Sequence, residues 1–147
     1  MKNRLLLGIA AVGLLVGQVQ ADTYFLETVD TDVLNGANYS GGVFPSTAEQ
    51  LRMDASVTGD LWGAATNHIQ AIIIAESAGT MAVLNIHTNG QLFADTSAAW
   101  DSKVGQNGHG TLNIVGGHIE INFIEVGRNI GSTGIVNMVS GYYRNVN

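Results

Sequence analysis

The feature that most constrains the fold of this chain is a phrase that occurs twice between residues 104 and 143. The first copy begins with Val-Gly-Gln-Asn at Val104 and continues from Gly110 as Gly-Thr-Leu-Asn-Ile-Val-Gly-Gly-His-Ile. The second begins with Val-Gly-Arg-Asn at Val126 and continues from Gly134 as Gly-Ile-Val-Asn-Met-Val-Ser-Gly-Tyr-Tyr. Self-similarity at a period of roughly 20–50 residues is typical of solenoids, in which each copy forms one turn of a stack. The sequence therefore predicts an all-β repeat protein.

The centre of the phrase is a triplet of the form apolar-Asn-apolar, which can be followed towards the N-terminus. Leu84-Asn85-Ile86 matches the two later triplets, and Leu51-Arg52-Met53 is interpreted as a weaker fourth copy. Each triplet is followed by a glycine and, two positions later, by a large apolar residue: Gly59 and Leu61, Gly90 and Leu92, Gly117 and Ile119, Gly141 and Tyr143. Residues 51–147 are therefore predicted to form the repeat array, with unequal corner loops between turns.

Stacking of these copies predicts apolar columns and a polar ladder. Side chains alternate between the two faces of a strand, so the outer members of a triplet point one way and the middle member the other. The predicted interior columns are Leu51, Leu84, Leu112 and Val136; Met53, Ile86, Ile114 and Met138; and Leu61, Leu92, Ile119 and Tyr143. Between the first two columns, Asn85, Asn113 and Asn137 are predicted to form an amide ladder that fixes the register of the turns.

Glycines at equivalent places in the copies predict the corners of each turn. Corners often need a positive φ, which glycine adopts without steric cost. One corner is assigned to Gly105 and Gly127, with Ile74-Ala75-Glu76-Ser77 as an earlier relative, and another to Gly90, Gly117 and Gly141. Crossovers between parallel strands are right-handed in nearly all proteins. The predicted fold is therefore a right-handed parallel β-helix (β-solenoid) of about four coils that follows an N-terminal signal peptide.

Residues 1–21 have the composition of that export signal. Lys2 and Arg4 precede an apolar and glycine run from Leu5 to Val16, and Val19-Gln20-Ala21 supplies small residues for a cleavage site. The run is shorter than the ~20 residues that a transmembrane helix needs, so a membrane anchor is the less favoured alternative. We predict cleavage after Ala21 and a mature part without a membrane span, secreted by a bacterium or displayed on its surface.

Composition narrows the classes of partner and of site. The 147 residues allow one domain at most and contain no cysteine, which rules out disulfides and thiolate metal sites. The formal net charge is −6, and all 12 acidic residues follow the signal segment. An acidic chain gains nothing from contacts with phosphates, so nucleic acid is not expected as a partner.

Residues 22–50 carry no copy of the repeat. They are predicted to be a capping or lead-in segment, because the first turn of a solenoid has an end that must be covered. Asp30, Asp32 and Asn35-Gly36 resemble part of a calcium loop, but residue 41 is glycine where an EF-hand loop needs glutamate. A looser calcium site stays open as an alternative to a turn rich in Asp and Asn.

The side chains able to carry chemistry do not form a recognisable pattern. The histidines, which are His68, His87, His109 and His118, lack the spacing of a zinc site. Neither a nucleophile elbow nor a P-loop occurs in the chain. We therefore predict no catalytic residue, no cofactor-binding or metal-binding residue, and no cofactor.

The alternative class is a carbohydrate-binding or polysaccharide-cleaving β-helix. Cleavage would need acids, or acids with a base, clustered on one face of adjacent turns. The equivalent column here contains Glu76, Gln106 and Arg128, while Glu120 and Glu125 are predicted to flank an apolar strand over residues 121–124. Sugar binding would instead need aromatic side chains aligned along one face, for which Trp62, Tyr142 and Tyr143 are the candidates.

One stretch resembles a known kind of repeat. Val104-Gly-Gln-Asn-Gly-His-Gly-Thr-Leu-Asn-Ile-Val-Gly-Gly117 resembles the repeat shared by autotransporter passenger regions and PEP-CTERM-type exported bacterial proteins. The stretch from Val126 to Gly141, with Gly131-Ser-Thr-Gly134, is similar to its companion form, whereas Ala75 and Ser140 replace glycines of the pattern. The resemblance implies a large extracellular or surface-displayed β-solenoid whose repeats carry no catalysis.

These expectations combine into one functional prediction. We expect an exported structural or adhesive β-solenoid segment of a bacterial surface or secreted protein, without catalytic activity of its own. The expected partners are extracellular polysaccharide or other surface proteins. No capping pattern follows the last repeat, so we also expect either a C-terminal continuation of the chain or end-to-end stacking.

Overall fold

A computed structural model of the chain describes residues 23–65, 68–95 and 101–146. The predicted signal peptide and the cleavage site after Ala21 lie outside the described residues. The strands are β1 (Thr23–Tyr24), β2 (Gln50–Met53), β3 (Thr58–Leu61), β4 (Ala71–Ile74), β5 (Met81–His87), β6 (Gln91–Ala94), β7 (Ser102–Val104), β8 (His109–Ile121), β9 (Ile124–Val126) and β10 (Thr133–Asn145). A short 3-10 helix spans Gly36–Asn38.

The pairings between these strands are all parallel, and they join successive turns of the chain. One sheet, which we call face 1, has the order β1-β2-β4-β7-β9. The other has the order β10-β8-β5-β3, and β6 also pairs with β8. The predicted parallel β-solenoid is confirmed, with the five strands of face 1 marking about five turns rather than about four.

The second sheet turns a corner within its long strands. β5 lies beside the first part of β8, and β6 lies beside residues 118–121 of the same strand. The register between neighbouring strands shifts at this corner, after Ile86 in β5 and after Met138 in β10. We call the part before the corner face 2 and the part after it, which contains β6, face 3.

Alternate side chains of the three faces fill the interior. Burial alternates along β5 and along each part of β8, as the two-residue period of a strand requires. Three stretches of the predicted columns are confirmed by the register: Leu84–Leu112–Val136, Ile86–Ile114–Met138 and Leu92–Ile119–Tyr143. Full burial of one such aliphatic side chain contributes about 1.5–3 kcal/mol.

The predicted amide ladder is also confirmed. Asn137 Nδ2 donates to Asn113 Oδ1 at 2.9 Å, and Asn113 Nδ2 donates to Asn85 Oδ1 at 2.7 Å. Asn85 Nδ2 then donates to Asp60 Oδ1 at 2.8 Å, so a carboxylate ends the ladder.

The assignment of Leu51-Arg52-Met53 as the fourth copy is wrong. These residues lie in β2 on face 1, where Leu51 is opposite Ile72. The true equivalent of Leu84-Asn85-Ile86 in the preceding turn is Gly59-Asp60-Leu61. Gly59 lacks a side chain at an apolar position because Val33 fills the space: a Cβ on Gly59 would lie 2.8 Å from Val33 Cγ2.

The third predicted column and the predicted place of Gly59 need the same correction. Leu61 belongs to the column of Ile86, not to that of Leu92. The bridge between Ala64 and Gln91 places the buried Ala65 beside Leu92. Gly90, Gly117 and Gly141 are in register as predicted, whereas Gly59 lies opposite Leu84.

The corner after face 1 is built on three residues with positive φ. Ala75, Gly105 and Gly127 have φ values of 57°, 73° and 64°. The N–H of Gly105 donates to Ile74 O at 2.8 Å, and that of Gly127 donates to Val104 O at 3.0 Å, so the turns stay in register through the corner. The prediction that Ile74-Ala75 is equivalent to the two Val-Gly units is confirmed, because Ile74 lies opposite Val104 and Val104 lies opposite Val126. Alanine in the left-handed region costs about 1–2 kcal/mol.

Residues 23–50 form the first turn, and its apolar side chains pack into the interior. Thr23 pairs with Leu51 on face 1, and Asp32 forms a parallel bridge with Asp60 on face 2. Phe25 and Tyr39 are buried with their rings edge-on, 5.4 Å between centroids. Tyr39 Oη donates to the backbone oxygen of Val33 at 2.7 Å, which satisfies the one polar group brought inside with that ring.

The opposite end of the interior is open. Val126, Val136 and Met138 continue the apolar columns, yet they are 46%, 38% and 54% exposed. Together with Ile114, Ile124 and Tyr143 they line a cavity of about 240 Å³. Within the described residues, β9 and β10 have no further strand on this side.

Candidate binding surface

The outer side of face 3 carries aromatic and charged side chains on successive turns. The period of two turns Leu92, Ile119 and Tyr143 inward, so the residues beside them point outward. Gln91, His118 and Tyr142 form one outward column, and Phe93, Glu120 and Arg144 form a second. Rings and charged groups thus stand next to one another on successive turns.

Four rings on this side contact one another in sequence along the stack. His68 stacks on Phe93 with 4.8 Å between ring centroids and an interplanar angle of 16°. Phe93 meets His118 edge-on at 5.5 Å, and His118 meets Tyr142 edge-on at 4.6 Å. We call His68, Phe93, His118 and Tyr142 the ring row. Each contact joins one turn to the next, so the row runs along the axis of the solenoid.

Carboxylates hold two of the rings in place. His68 Nδ1 lies 2.6 Å from Asp95 Oδ1, and His118 Nε2 lies 2.9 Å from Glu120 Oε1. Arg144 Nη1 lies 3.6 Å from Glu120 Oε2, so this acid contacts two nitrogen-bearing side chains. Side chains held by such contacts lose less conformational freedom when a ligand binds.

A shallow groove runs beside the ring row at the corner between faces 2 and 3. Its volume is about 280 Å³, and it is lined by Asn89, Gly90, Gln91, Gly116, Gly117, His118, Gly141 and Tyr142. The glycines are required by the close stacking of the corner: a Cβ on Gly141 would lie 2.3 Å from Gly117 O. The bare backbone that results forms the floor, and His118 and Tyr142 belong to both the groove and the ring row.

A second ring pair lies on the same corner, one turn earlier. Trp62 is 60% exposed and stacks on His87 with 3.6 Å between centroids and an interplanar angle of 2°. His87 Nε2 lies 2.8 Å from Asp60 Oδ1. Partial burial raises the pKa of Asp60, but hydrogen bonds from His87, Thr31 and Asn85 outweigh it and leave that pKa below its ordinary value.

The acids considered for polysaccharide cleavage stay apart. Glu76, Gln106 and Arg128 do form a column, since Gln106 N donates to Ala75 O and Arg128 N donates to Gly105 O. Glu76 is paired with Arg52, and Arg128 Nη1 lies 3.1 Å from Glu125 Oε2.

Residues 121–124 are not the strand predicted between Glu120 and Glu125. β8 ends at Ile121 and β9 begins at Ile124, so the segment between them forms the corner from face 3 to face 1. Glu120 therefore belongs to face 3 and Glu125 to face 1.

The two acids of the possible calcium loop, Asp30 and Asp32, accept hydrogen bonds from neighbouring residues of the first turn. Asp30 accepts from Asn38 Nδ2 at 2.6 Å and from Asn35 Nδ2 at 3.0 Å, and these hydrogen bonds lower the pKa of its carboxyl. Asp32 Oδ1 accepts from the backbone N–H of Leu34 at 2.9 Å, which makes an Asx turn. Across the described ranges, no group of three or more His, Asp or Glu side chains is close enough to hold an ion.

Only part of the ring row was predictable from the residues singled out for sugar binding. Tyr142 is on it and Trp62 is on the neighbouring corner, but Tyr143 points inward, opposite Ile119. His118 was not predicted to take part in ring contacts, yet this ring contacts both Phe93 and Tyr142. Alignment of Gln91-Leu-Phe-Ala with His118-Ile-Glu-Ile, two four-residue segments of face 3, could have placed Phe93 next to His118.

No helix among the described residues has the length and apolar character that crossing a membrane would require. Comparison of the chain with protein-family profiles, with curated proteins and with solved structures gives no match.

Proposed function

We propose that the chain is a structural and adhesive segment of an exported bacterial β-solenoid protein and has no catalytic activity of its own. The proposal rests on the hydrogen bonds that polar side chains form between successive turns. Asn85, Asn113 and Asn137 bond to one another between turns, and Asn129 Nδ2 donates to Asn107 Oδ1 at 2.6 Å in a second ladder. Groups used to hold register are not gathered around a reacting centre.

Export is supported by the sequence. The basic start, the short apolar run and the small residues before Asp22 match a secretory signal. The chain contains no cysteine, so its stability after export would come from apolar columns and ladders without disulfides. The resemblance of residues 104–141 to autotransporter and PEP-CTERM-associated repeats points the same way.

Adhesion is supported by the ring row and its groove. Aromatic side chains supply large contact areas at low cost in conformational entropy, and they are enriched where proteins bind partners. Binding of carbohydrate is the second candidate function, and the same surface favours it. Cleavage of carbohydrate draws less support, because Glu76 is paired with Arg52, while Glu120 and Glu125 lie on different faces.

The test begins with expression of the full chain in a Gram-negative host. We expect intact mass and N-terminal sequencing to show a product that begins at Asp22 and is found outside the cytoplasm. The exported product, coupled to beads, should then attach to surfaces coated with extracellular polysaccharide or with surface protein. An uncleaved cytoplasmic product, or beads that attach no better than albumin-coated beads, would overturn the proposal.

A further inference from the structure

We propose that the ring row and the corner groove bind an uncharged polysaccharide strand that lies along the solenoid axis. This inference rests on the adhesive function proposed above and names the class of ligand. The surface concerned consists of Phe93, His118 and Tyr142 with the groove residues Asn89 and Gln91.

The ring row runs in the direction that a polymer along the solenoid axis would take. The contacts from Phe93 to His118 and from His118 to Tyr142 each step one turn along the stack, with ring centroids 5.5 Å and 4.6 Å apart. A polymer that lies along the solenoid axis can therefore contact rings on successive turns. Sugar rings have apolar C–H faces, and such faces gain from burial against aromatic side chains. Tyr142 has 49% of its surface available for this contact.

The polar side chains beside the rings can form hydrogen bonds with sugar hydroxyls. Asn89 and Gln91 line the groove, and both are exposed. A carboxamide both donates and accepts hydrogen bonds, as a sugar hydroxyl does, so the two groups are complementary. A groove of about 280 Å³ lies near the lower limit for small-molecule sites, so one or two sugar units fit at a time and affinity grows with the number of contacts along the polymer.

The negative charge around the ring row favours an uncharged polymer. Asp95 and Glu120 lie along the row, and the nearby Arg144 is directed to Glu120. The chain as a whole carries a formal net charge of −6. A polyuronate or a phosphate-bearing glycan would bring further negative charge to this surface, and like charges at short range disfavour binding.

An extended peptide fits this surface less well. Peptides commonly add a strand to an exposed sheet edge, but the ring row lies on the outer side of face 3, where β6, β8 and β10 pair with one another, and not along a free edge. An amphipathic helix would need a continuous apolar groove, whereas polar residues line about half of this one. A linear glycan meets neither restriction, because it needs only ring faces and scattered hydrogen-bonding groups.

The experiment uses the full chain, purified after export, in affinity electrophoresis. The gels contain neutral α-glucan, β-glucan, mannan or galactan, and polygalacturonate serves as the anionic comparison. We expect at least one neutral glycan to retard the protein and polygalacturonate not to do so. Retardation by none of the four neutral glycans, or stronger retardation by polygalacturonate, would overturn the inference.

Two variants tie binding to the surface. Tyr142→Ala should weaken binding about tenfold and Gln91→Ala severalfold, because one removes a ring and the other a carboxamide from the groove. The control variant is Met81→Ala, which changes an exposed side chain on face 2 and should leave binding unchanged. Circular dichroism and thermal melting of each variant show whether the fold is intact. Equal binding by wild type and by folded Tyr142→Ala and Gln91→Ala would place the glycan elsewhere and overturn the inference.

The outcome also separates this inference from the function on which it rests. Beads that attach to protein-coated surfaces, while no neutral glycan retards the chain, would leave the adhesive function standing and remove the glycan ligand. Failure of attachment to every surface, together with failure of retardation, would remove both.

Discussion

The side-chain amide of Asn113 donates to Oδ1 of Asn85, one turn earlier, at 2.7 Å. Asn113 also accepts from Asn137 Nδ2 at 2.9 Å, so it is the middle of the ladder. A one-residue slip of β8 against β5 would place an apolar side chain in the ladder and a polar one in the interior. The ladder therefore specifies register as well as adding hydrogen bonds.

The first prediction concerns this middle position. Asn113→Ala removes two side-chain hydrogen bonds at a partly buried site and should lower the free energy of unfolding by about 1–3 kcal/mol. Asn137→Ala removes one bond at the exposed end and should cost less than half as much. Chemical denaturation of both variants gives the comparison. An equal cost for the two changes would show that the ladder does not act as a connected unit.

The second prediction tests which way β8 faces. Ile114 is fully buried and Val115, the next residue, is 37% exposed. Ile114→Asp brings a carboxylate without a partner into an apolar interior and should prevent stable folding. Val115→Asp should be tolerated with a small change in melting temperature. Circular dichroism of both proteins decides the question, and a folded Ile114→Asp protein would contradict the assigned interior.

The third prediction separates backbone strain from close packing at glycines. Gly105 and Gly79 both have positive φ values, 73° and 81°. A Cβ on Gly105 would lie 2.1 Å from Thr133 O, while nothing lies within 4 Å of a Cβ on Gly79. Gly79→Ala should cost only the conformational strain, about 1–2 kcal/mol, whereas Gly105→Ala must also separate two turns and should cost considerably more. Thermal melts measure both variants, and equal melting temperatures would contradict this difference.

The fourth prediction concerns pH. Partial burial raises the pKa of Asp60, but hydrogen bonds from His87, Thr31 and Asn85 place it below the ordinary value of 3.8. Because the folded state favours the ionised form, this carboxylate stabilises the fold above pH 3.8 and the contribution is lost as the pH falls through the lowered pKa. The melting temperature of the wild type should decrease as the pH is lowered below about 4. The melting temperature of Asp60→Asn should decrease less steeply over the same pH range. Identical slopes in the two proteins would contradict the role of Asp60.

The fifth prediction concerns the open end of the interior. Met138 continues the column of Ile114 but is 54% exposed, and it lines the apolar cavity of about 240 Å³. In a preparation of this chain, apolar surface beside free strand edges should promote self-association. Met138→Lys should reduce association and the binding of an apolar fluorescent dye, as measured by light scattering and fluorescence. Val139→Lys, at a residue 74% exposed, is the matched control and should have a smaller effect.

Local pattern was sufficient to predict the parts of the fold that repeat closely. The triplets at Leu84, Leu112 and Val136 were predicted to stack, and the register places them opposite one another. Equivalent positions in a solenoid meet equivalent neighbours, so near-identical phrases are sufficient to predict their own contacts. The corner residues Gly105 and Gly127 were predictable for the same reason.

The sequence by itself determined that the chain forms a parallel solenoid with an Asn ladder; only the tertiary structure decided which segment occupies which face. Leu51-Arg52-Met53 and Gly59-Asp60-Leu61 both alternate with a period of two, and the pattern alone wrongly favoured the first as the ladder strand. The neighbour that completes the packing, Val33 beside Gly59, comes from a distant and dissimilar segment. The ring row arose in part in the same way, because only His118 and Tyr142 occupy equivalent positions of the repeat, and His68 and Phe93 join them when unequal corner loops bring their strands into register.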